Sequence, residues 1–482
     1  MRKYQIVLLI LGSLVLGLAV LAAVIAGFSE FVFRDDASDD FLVSASVSGF
    51  LGGVFLIFGQ GARPEINHHG AVGLTAGAWL GIPLLAAIPF LGDAGGLDWT
   101  NAVFESVSGI TTTGSTVITN LDETAPSILL WRAILQWIGG IGIIGLSIAV
   151  LPFLRVGGMQ LFHMESSDTS RDRVVAQPGH LAAYIALLYA GLTLLCMIGY
   201  AMTGMNGFDA LTHAMTTVST GGYSTYDASM GAFSPDAQWV AIVFMLSGAI
   251  PFLAYVRLVS RFNRRNGMFE EVSGFLLIVA GFTLLLIIAE FPDGLGFMQE
   301  LRQALFSTVS VITTTGYSAG DYQDWGPLAV VSIFILTFLG GCAGSTAGGF
   351  KTFRLQIAMK AVARALNRAS LPSSVTTERH AGKNLSDEDI ASVTLFGGLY
   401  VSTFALAAIL LAGMGLDFET AITASATALA NVGPGLGDII GPSGNFAALS
   451  DAAKWLLCAV MLLGRLEIVV ILLLFTPRFW LR

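Results

Sequence analysis

The segment Thr111-Thr112-Thr113-Gly114-Ser115-Thr116 decides the fold of this chain, because the same kind of segment returns three more times. The pattern recurs at 219–224 and 313–318, and in a form without threonine at 431–435. Each copy lies between two long apolar stretches. Glycine permits backbone conformations that turn carbonyl groups toward an ion in place of its water. We therefore interpret the four copies as four walls of one ion selectivity filter.

The composition is typical of a membrane protein. The chain has 482 residues, of which 54% are hydrophobic and 12% are charged, whereas soluble domains carry about 25% charged residues. Apolar runs of roughly 20 residues recur along the whole length, which predicts an all-α polytopic membrane protein. Ten spans are expected, at about 5–27, 41–60, 70–91, 129–154, 181–204, 238–260, 272–291, 327–366 (interrupted), 390–413 and 453–476.

The last eight spans form four pairs, and a re-entrant segment joins the members of each pair. Each such segment holds a short apolar helix followed by the motif, and the motif glycines are 108, 94 and 117 residues apart. A whole unit of helix, pore loop and helix therefore repeats. We expect four pseudo-fourfold helix–pore-loop–helix repeats around one pore, preceded by two extra transmembrane helices. The predicted boundaries are 1–66 for the two N-terminal helices and 67–160, 178–265, 268–368 and 386–482 for repeats 1 to 4.

The candidate ion-binding groups are the main-chain and hydroxyl oxygens of the motifs. The short helices would point their partially negative C-terminal ends at the pore, which favours a cation. The residues concerned are Thr111, Thr112, Thr113 and Gly114 in copy 1 (111–116), Ser219, Thr220, Gly221 and Gly222 in copy 2 (219–224), Thr313, Thr314, Thr315 and Gly316 in copy 3 (313–318), and Asn431, Val432 and Gly433 in copy 4 (431–435).

A second glycine-rich segment, 340–350, interrupts the second helix of repeat 3. Its glycine spacing resembles a phosphate-binding loop, but Phe350 occupies the lysine position and no strand precedes it, so we reject nucleotide binding. Irregular backbone at membrane depth must be buried in protein or line a water-filled cavity. We interpret the segment as a gate in the permeation path; close helix packing through small residues is the alternative. The candidate gate residues are Gly344, Ser345, Thr346, Ala347, Gly348 and Gly349.

Arg465 lies near the middle of the last predicted span. A charged residue at that depth is expensive and indicates function. Facing the pore, Arg465 would form a positive barrier that slows cations and shapes gating. The alternative is a structural ion pair, but Glu467 is two residues away and would diverge from it on a helix, so a partner would have to come from another helix.

The basic residues predict the topology. With the N-terminus in the cytoplasm, nineteen of the 24 Lys and Arg fall on the cytoplasmic side. Both termini are then cytoplasmic and all four motifs face outward, where acidic residues concentrate and would attract cations; simple tolerance of acidic residues there explains the same pattern. The largest cytoplasmic connection, about 363–389, is either a docking surface or an ordinary loop. Within it, Ser386 and Asp389 predict a helix N-cap.

Other classes of protein fit the sequence poorly. The three Cys and six His form no metal-binding spacing, and no cluster typical of a membrane enzyme occurs. The net charge of −9 gives no indication of nucleic-acid binding. We therefore expect neither an enzyme nor an organic cofactor in this chain.

With its four motifs, the glycine-rich segment and the sequence Gly-Arg-Leu-Glu at 464–467, the chain closely resembles the Trk/Ktr/HKT superfamily of potassium transporters, in particular its TrkH/TrkG branch. The two spans before repeat 1 are similar to that branch. The resemblance implies that K⁺ is the transported ion and that glycine at the equivalent positions Gly114, Gly222, Gly316 and Gly433 makes the filter selective for K⁺. It also implies that 340–350 is the gating loop and that Arg465 is the pore-facing arginine.

The resemblance further implies the setting in which the chain works. Similar subunits form homodimers in the lipid of the bacterial inner membrane and bind a cytoplasmic RCK regulatory protein of the TrkA type, which holds ATP, ADP or NAD. No Rossmann-type unit occurs in this chain, so any nucleotide effect would come through that partner. We expect gated K⁺ uptake driven by the membrane potential. The alternative is a symporter that couples K⁺ to H⁺ or Na⁺, for which a buried acid such as Glu467 would be needed.

Overall fold

The computed structural model describes residues 5–62, 68–149, 178–259, 268–288, 296–371, 379–380 and 383–477, and this part of the chain is mainly helical. Two helices come first, α1 (Gln5–Phe28) and α2 (Ser38–Gly59). Repeat 1 consists of α3 (His68–Ala86), the pore helix α4 (Trp99–Ile110) and α5 (Pro126–Ala149). Repeat 2 consists of α6 (Pro178–Met202), the pore helix α7 (Gly207–Val218), α8 (Pro235–Ala249) and α9 (Phe252–Val259).

The second half of the chain follows the same plan. Repeat 3 consists of α10 (Met268–Ile288), the pore helix α11 (Phe297–Ile312), α12 (Pro327–Phe338) and α13 (Thr352–Ser370). Repeat 4 consists of α14 (Asp387–Gly413), the pore helix α15 (Phe418–Ala430), the single turn α16 (Gly437–Ile440), α17 (Asp451–Arg465) and α18 (Val469–Leu474). The parallel strands β1 (Leu339–Gly340) and β2 (Phe350–Lys351) flank the glycine-rich segment, and β3 (Arg379–His380) pairs antiparallel with β4 (Lys383–Asn384). The predicted fold class is confirmed.

Seven helices in the described ranges are long and apolar enough to cross a membrane. The other three of the ten predicted spans, 238–260, 327–366 and 453–476, are each divided into two shorter helices. Only the second of these was predicted to be interrupted. The prediction of uninterrupted spans at 238–260 and 453–476 is therefore wrong, and each of these two breaks has its own cause.

In repeat 2 the break lies at Pro251, which has no N–H to continue the helix. The carbonyl of Ser247 instead accepts a hydrogen bond of 2.9 Å from the Tyr255 hydroxyl. The carbonyls of Gly248 and Ala249 accept hydrogen bonds from the backbone N–H groups of Thr346 (3.2 Å) and Cys342 (3.0 Å). Two carbonyls freed in repeat 2 are thus satisfied by the glycine-rich segment of repeat 3.

In repeat 4 the break lies at Glu467 and Ile468, whose φ angles are 61° and 26°. Neither residue favours the left-handed region. The Glu467 carboxylate forms an ion pair with Arg354, which is buried on α13. Glu467 therefore leaves the helix to meet a partner from another repeat. The sequence around it contains no proline, so composition could not predict this break.

Polar residues cap the start of three of the four pore helices, whereas α11 begins after Gly296. The side chains of Asp98, Asn206 and Asp417 each accept a hydrogen bond from the backbone N–H three residues further on. At the start of α14, Ser386 and Asp389 form a capping box, which confirms the predicted N-cap. Three of the four re-entrant helices are therefore fixed at their start by one side chain.

The two N-terminal helices are anchored to repeat 1 through Asp35, which lies between them. Its carboxylate accepts hydrogen bonds from the backbone N–H (2.8 Å) and the hydroxyl (3.1 Å) of Ser127 at the start of α5, and from the hydroxyl of Ser29 (2.5 Å). Burial alone would raise the pKa of Asp35, but the hydrogen bonds from Ser29 and Ser127 outweigh it and hold this pKa below its ordinary value.

Candidate selectivity filter and gate

Each pore helix ends in the same left-handed turn. The residue two positions before the motif glycine has a φ of 51° to 58° in all four copies: Thr112, Thr220, Thr314 and Asn431. The next residue donates its N–H to the carbonyl five residues back, at 2.8–3.1 Å, in the pairs Thr113–Ser108, Gly221–Thr216, Thr315–Ser310 and Val432–Thr427. A β-branched residue rarely adopts a positive φ, and such strain of about 1–3 kcal/mol concentrates at functional sites. Three equivalent threonines therefore carry backbone strain of the kind that concentrates at functional sites.

The four motifs close into a ring in which every copy meets the next. The motif glycines have φ angles of 88°, 76°, 78° and 115°. Each lies against the carbonyl oxygen that precedes the glycine of the neighbouring copy. A Cβ built on the glycine would lie at the following distances from that oxygen: Gly114 to Gly221, 2.3 Å; Gly222 to Thr315, 1.7 Å; Gly316 to Val432, 1.9 Å; and Gly433 to Thr113, 2.8 Å. The order runs from copy 1 to copy 4 and returns to copy 1, so four backbone oxygens alternate with four glycines around one closed layer.

The threonine side chains of copies 1 and 3 stabilise the turns in the same way. The hydroxyls of Thr111 and Thr113 are 2.7 Å apart, and so are those of Thr313 and Thr315. Copy 4 has no threonine, and Asn431 takes over by donating to the Thr113 hydroxyl at 2.9 Å and to the carbonyl of Met461 at 3.0 Å. The degenerate copy is therefore joined to copy 1 by a side chain rather than merely placed beside it.

The sequence did not identify Gln136 of α5 as a site residue. Its amide donates to the carbonyl of Gly221 at 2.5 Å and accepts from the N–H of Tyr223 at 3.0 Å. A Cβ on Gly221 would lie 2.3 Å from the Gln136 side chain. Copies 1, 3 and 4 have Thr113, Thr315 or Val432 at this position. Gln136 therefore fills the space that a side chain of copy 2 would occupy, and the missing side chain at Gly221 was the only signal for it.

Two of the predicted gate residues, Thr346 and Gly348, contact the motifs close to where the pore helices end. The Thr346 hydroxyl bonds to the carbonyls of Val218 (3.1 Å) and Gly248 (3.0 Å) and lies 3.2 Å from the Thr220 hydroxyl. The N–H of Gly348 donates to the Thr314 hydroxyl at 2.7 Å. The glycine-rich segment therefore contacts copies 2 and 3 of the ring.

The turns of the glycine-rich segment are stabilised by hydrogen bonds of its backbone and side chains. Gly344 and Gly349 each have a φ of 68°. The Gly344 carbonyl accepts from the N–H of Phe252 at 3.0 Å, and the Ser345 hydroxyl donates to the Cys342 carbonyl at 2.6 Å. The buried Lys351 ammonium donates to the carbonyl of Ala347. All six predicted gate residues of the segment thus lie in one hydrogen-bonded loop of repeat 3 that packs against repeat 2.

Arg465 is buried at the end of α17, and its guanidinium donates to the carbonyl of Thr346 at 2.9 Å. Its Nε and Nη2 atoms have no hydrogen-bond partner among the described residues. Glu467 pairs with Arg354 instead, in agreement with the expectation that Arg465 and Glu467 diverge. Arg465 therefore contacts the candidate gate directly through one nitrogen of its guanidinium.

The glycine-rich segment also rests on a second buried acid. Glu271 of α10 accepts a hydrogen bond from the N–H of Ala343 at 2.8 Å. Because Glu271 lies just outside the predicted span 272–291, its sequence position does not mark it as an acid at membrane depth. Three elements therefore hold the loop: α8 through its free carbonyls, α10 through Glu271 and α17 through Arg465.

Comparisons with known proteins identify the family of this chain. The family described as "TrkH: Cation transport protein" matches residues 74–481. The chain is 47% identical to the Trk system potassium uptake protein TrkI of Halomonas elongata over 409 residues, which cover 84% of this chain and 83% of that protein. It is 35% identical to the Trk system potassium uptake protein TrkH of the same organism, with 94% of each chain covered.

The fold is also closely similar to that of a solved structure. The crystal structure of the potassium transporter TrkH from Vibrio parahaemolyticus superposes with a TM-score of 0.89 over 100% of both chains, at 32% sequence identity. With its apolar helices, the protein is a multi-pass membrane protein. It is a transporter rather than an enzyme, as the sequence predicted. The chain belongs to the TrkH family of cation transport proteins.

Proposed function

We propose that this protein takes up K⁺ across the bacterial cytoplasmic membrane through one gated, K⁺-selective pore in each subunit. The observation that carries the proposal is the closed layer of four carbonyls, from Thr113, Gly221, Thr315 and Val432, each packed against the glycine of the neighbouring copy. Carbonyl rings replace the hydration shell of an ion. Four relatives of this chain from Halomonas, Vibrio and Salmonella are named as potassium uptake proteins of the Trk system.

The membrane potential supplies enough energy for uptake. Moving one charge through 100 mV yields about 2.3 kcal/mol. The pore helices support the direction of the proposal, because their C-terminal ends, at Ile110, Val218, Ile312 and Ala430, all meet the motifs. No separate energy-coupling unit is then required in this chain.

We place the filter on the outer side and the termini in the cytoplasm. The excess of basic residues supports this orientation. Many of those residues belong to 1–4, 63–67, 150–177, 260–267 and 478–482, which lie outside the described ranges. The glycine-rich segment then lies between the filter and the cytoplasm, as a gate requires.

We assign the control of this gate to a cytoplasmic RCK protein that binds ATP, ADP or NAD. We also expect the functional unit to be a homodimer. The helix that follows the gate, α13, supports this assignment, because it continues from the loop to the 363–389 connection. Lys360 of α13 forms an ion pair with Glu270, and Arg364 forms one with Asp387. A partner that moves this connection would pull on the loop through α13.

The symport alternative needs a buried titratable group that changes its exposure. Glu467 was the candidate, but it pairs with Arg354 at the break between α17 and α18. Glu105 and Glu271 are buried, whereas the Glu467 side chain is 14% exposed, so Glu467 is not the sole candidate for such a group. A Glu467→Gln protein whose K⁺ flux loses all dependence on a proton gradient would favour symport over the pore.

The test is cation flux into proteoliposomes that contain this chain alone. We expect uptake of Rb⁺ and K⁺, driven by an inside-negative potential, with strong exclusion of Li⁺. Equal passage of all alkali cations would contradict the filter assignment. The gate assignment is tested separately by deleting two residues from the segment Gly344–Gly349: a gate predicts higher flux without the partner, whereas packing alone predicts lower thermal stability and no gain in flux.

A further inference from the structure

One position of the pore helices, nine residues before the motif glycine, holds a different residue in each of the four copies. This position holds Glu105, His213, Ser307 and Ala424 in copies 1 to 4. Only copy 1 has a carboxylate there, and it is completely buried behind the ring. A buried acid needs several hydrogen bonds or a cation, so its partners indicate what it fixes in place.

Glu105 holds the outer part of copy 1. Its carboxylate accepts from the N–H of Val117 at 2.9 Å, from the Thr116 hydroxyl at 3.0 Å and from Nε of Arg132 at 2.8 Å. Arg132 of α5 is itself only 1% exposed. The Glu105 carboxylate therefore connects residues 116–117, which follow the motif of copy 1, to the pore helix α4 and, through Arg132, to α5.

Arg132 extends this connection to copy 2. Its Nη1 donates to the carbonyl of Ser224 at 3.0 Å, and Nη2 donates to the Thr116 hydroxyl at 3.1 Å. The guanidinium also lies 4.0 Å from the centre of the Tyr223 ring. One fully engaged side chain thus spans the joint between copies 1 and 2, which a lysine could not do because it lacks the planar fork of donors.

Two tyrosines repeat a second connection around the ring. Tyr223 of copy 2 donates to the carbonyl of Glu105 at 2.8 Å. Tyr317 of copy 3 donates to the carbonyl of the equivalent residue, His213, at 3.2 Å, and contacts the Thr216 hydroxyl at 2.5 Å. Each tyrosine follows its motif glycine and crosses to the pore helix of the preceding copy.

The other two joints are built differently. Copy 1 has Ser115 at the tyrosine position, and its hydroxyl donates to the carbonyl of Gly433 at 2.9 Å. Copy 4 has Pro434, which has no donor. Further out, the Gln323 amide accepts from the N–H of Gly437 at 2.6 Å. The Glu105–Arg132 ion pair and the two tyrosine connections therefore lie at the joints between copies 1 and 2 and between copies 2 and 3, whereas Ser115 and Asn431 join copies 1 and 4.

We propose that Glu105, Arg132, Tyr223 and Tyr317 are positioning residues that fix the separation of copies 1, 2 and 3 and thereby set the discrimination between K⁺ and Na⁺. A smaller ion is bound well only if the carbonyls move inward, and cross-connections between copies oppose that movement. None of the four side chains needs to touch the ion. This inference rests on the proposed function, because it has meaning only if the ring is the filter.

The experiment measures the ratio of Rb⁺ to Na⁺ uptake in proteoliposomes for Tyr223→Phe, Tyr317→Phe, Glu105→Gln and Arg132→Lys. Each phenylalanine variant removes one hydroxyl and keeps the ring, so the change in packing is small. We expect the ratio to fall by about fivefold, the effect of one ordinary hydrogen bond. Arg132→Lys keeps the charge, and the inference predicts that it loses discrimination as Glu105→Gln does.

The matched control is Tyr184→Phe, the same change on α6 at a side chain that is 51% exposed. It should leave the ratio unchanged. If the wild-type chain itself shows no preference for Rb⁺, the proposed function fails. If the wild type is selective and all four variants keep its ratio while their melting temperatures fall, the connections are only structural and the inference is overturned.

Discussion

Replacing the motif glycines with alanine should reduce selectivity in an order set by the space at each position. A Cβ would lie 1.7 Å from the facing carbonyl oxygen at Gly222, 1.9 Å at Gly316, 2.3 Å at Gly114 and 2.8 Å at Gly433. An ordinary carbon–oxygen contact is about 3.3 Å. The carbonyl facing Gly316 must therefore retreat by about 1.4 Å, and the one facing Gly433 by about 0.5 Å.

A retreat of about 1 Å removes an oxygen from contact with the ion, so we expect Gly316→Ala to lower the Rb⁺/Na⁺ uptake ratio by about tenfold or more, equal to about 1.4 kcal/mol. Gly433→Ala should lower it least. The left-handed backbone itself costs a further 1–2 kcal/mol, roughly, for any residue with a Cβ. That cost appears as lower thermal stability and is measured separately from the flux ratio.

Gly415→Ala provides the matched control. Gly415 has a φ of 95°, and nothing lies within 4 Å of a Cβ built on it. It therefore carries the backbone cost without the clash, and we expect a lower melting temperature with unchanged selectivity. If Gly433→Ala reduced the ratio as strongly as Gly222→Ala, the carbonyl layer would not be the selective element and the reasoning would be refuted.

Three further predictions concern the gate and the stability of the fold. Thr346→Val keeps the shape of the side chain but removes the hydrogen bonds to the carbonyls of Val218 and Gly248, so cation flux without a cytoplasmic partner should rise. The control is Thr337→Val, whose hydroxyl bonds within α12 among the described residues, and this variant should leave the flux unchanged. Arg465→Gln removes the positive charge beside Thr346 and should increase K⁺ flux, and an unchanged flux would place Arg465 outside the ion path. Asp35→Asn should lower the melting temperature at pH 7. Because folding lowers the pKa of Asp35, its stabilisation is fully present above the ordinary value of 3.8 and is lost as the pH falls through the lower folded value, so the two melting temperatures should converge in acid.

The sequence predicted the elements that repeat, because repetition multiplies a weak signal. The pore helices, the motif turns and the equivalence of the four glycines all followed from spacing and residue type. Pro251 was visible but lay within an apolar run, and its effect on the helix depends on carbonyl partners that come from a distant part of the chain. The break at Glu467 depends on Arg354, more than a hundred residues away.

The side chains behind the ring were missed for a related reason. Glu105 and Arg132 belong to different helices, and a pair of charges in an apolar environment is recognisable only once both are placed. The residues next to Gln136 in the sequence do not indicate its role, because the space that its side chain fills lies at Gly221, in another repeat. Local patterns predict backbone shape, whereas these contacts depend on how the repeats are arranged in space.

The break at Pro251 has a consequence for how the protein is made. A nascent chain that has reached the end of α9 presents the carbonyls of Gly248 and Ala249, whose partners Thr346 and Cys342 have not yet been synthesised. Unsatisfied backbone groups in hydrocarbon cost several kcal/mol each. The second repeat can therefore reach its final form only after the third has entered the bilayer, so ribosomal order and assembly order differ at this point of the chain.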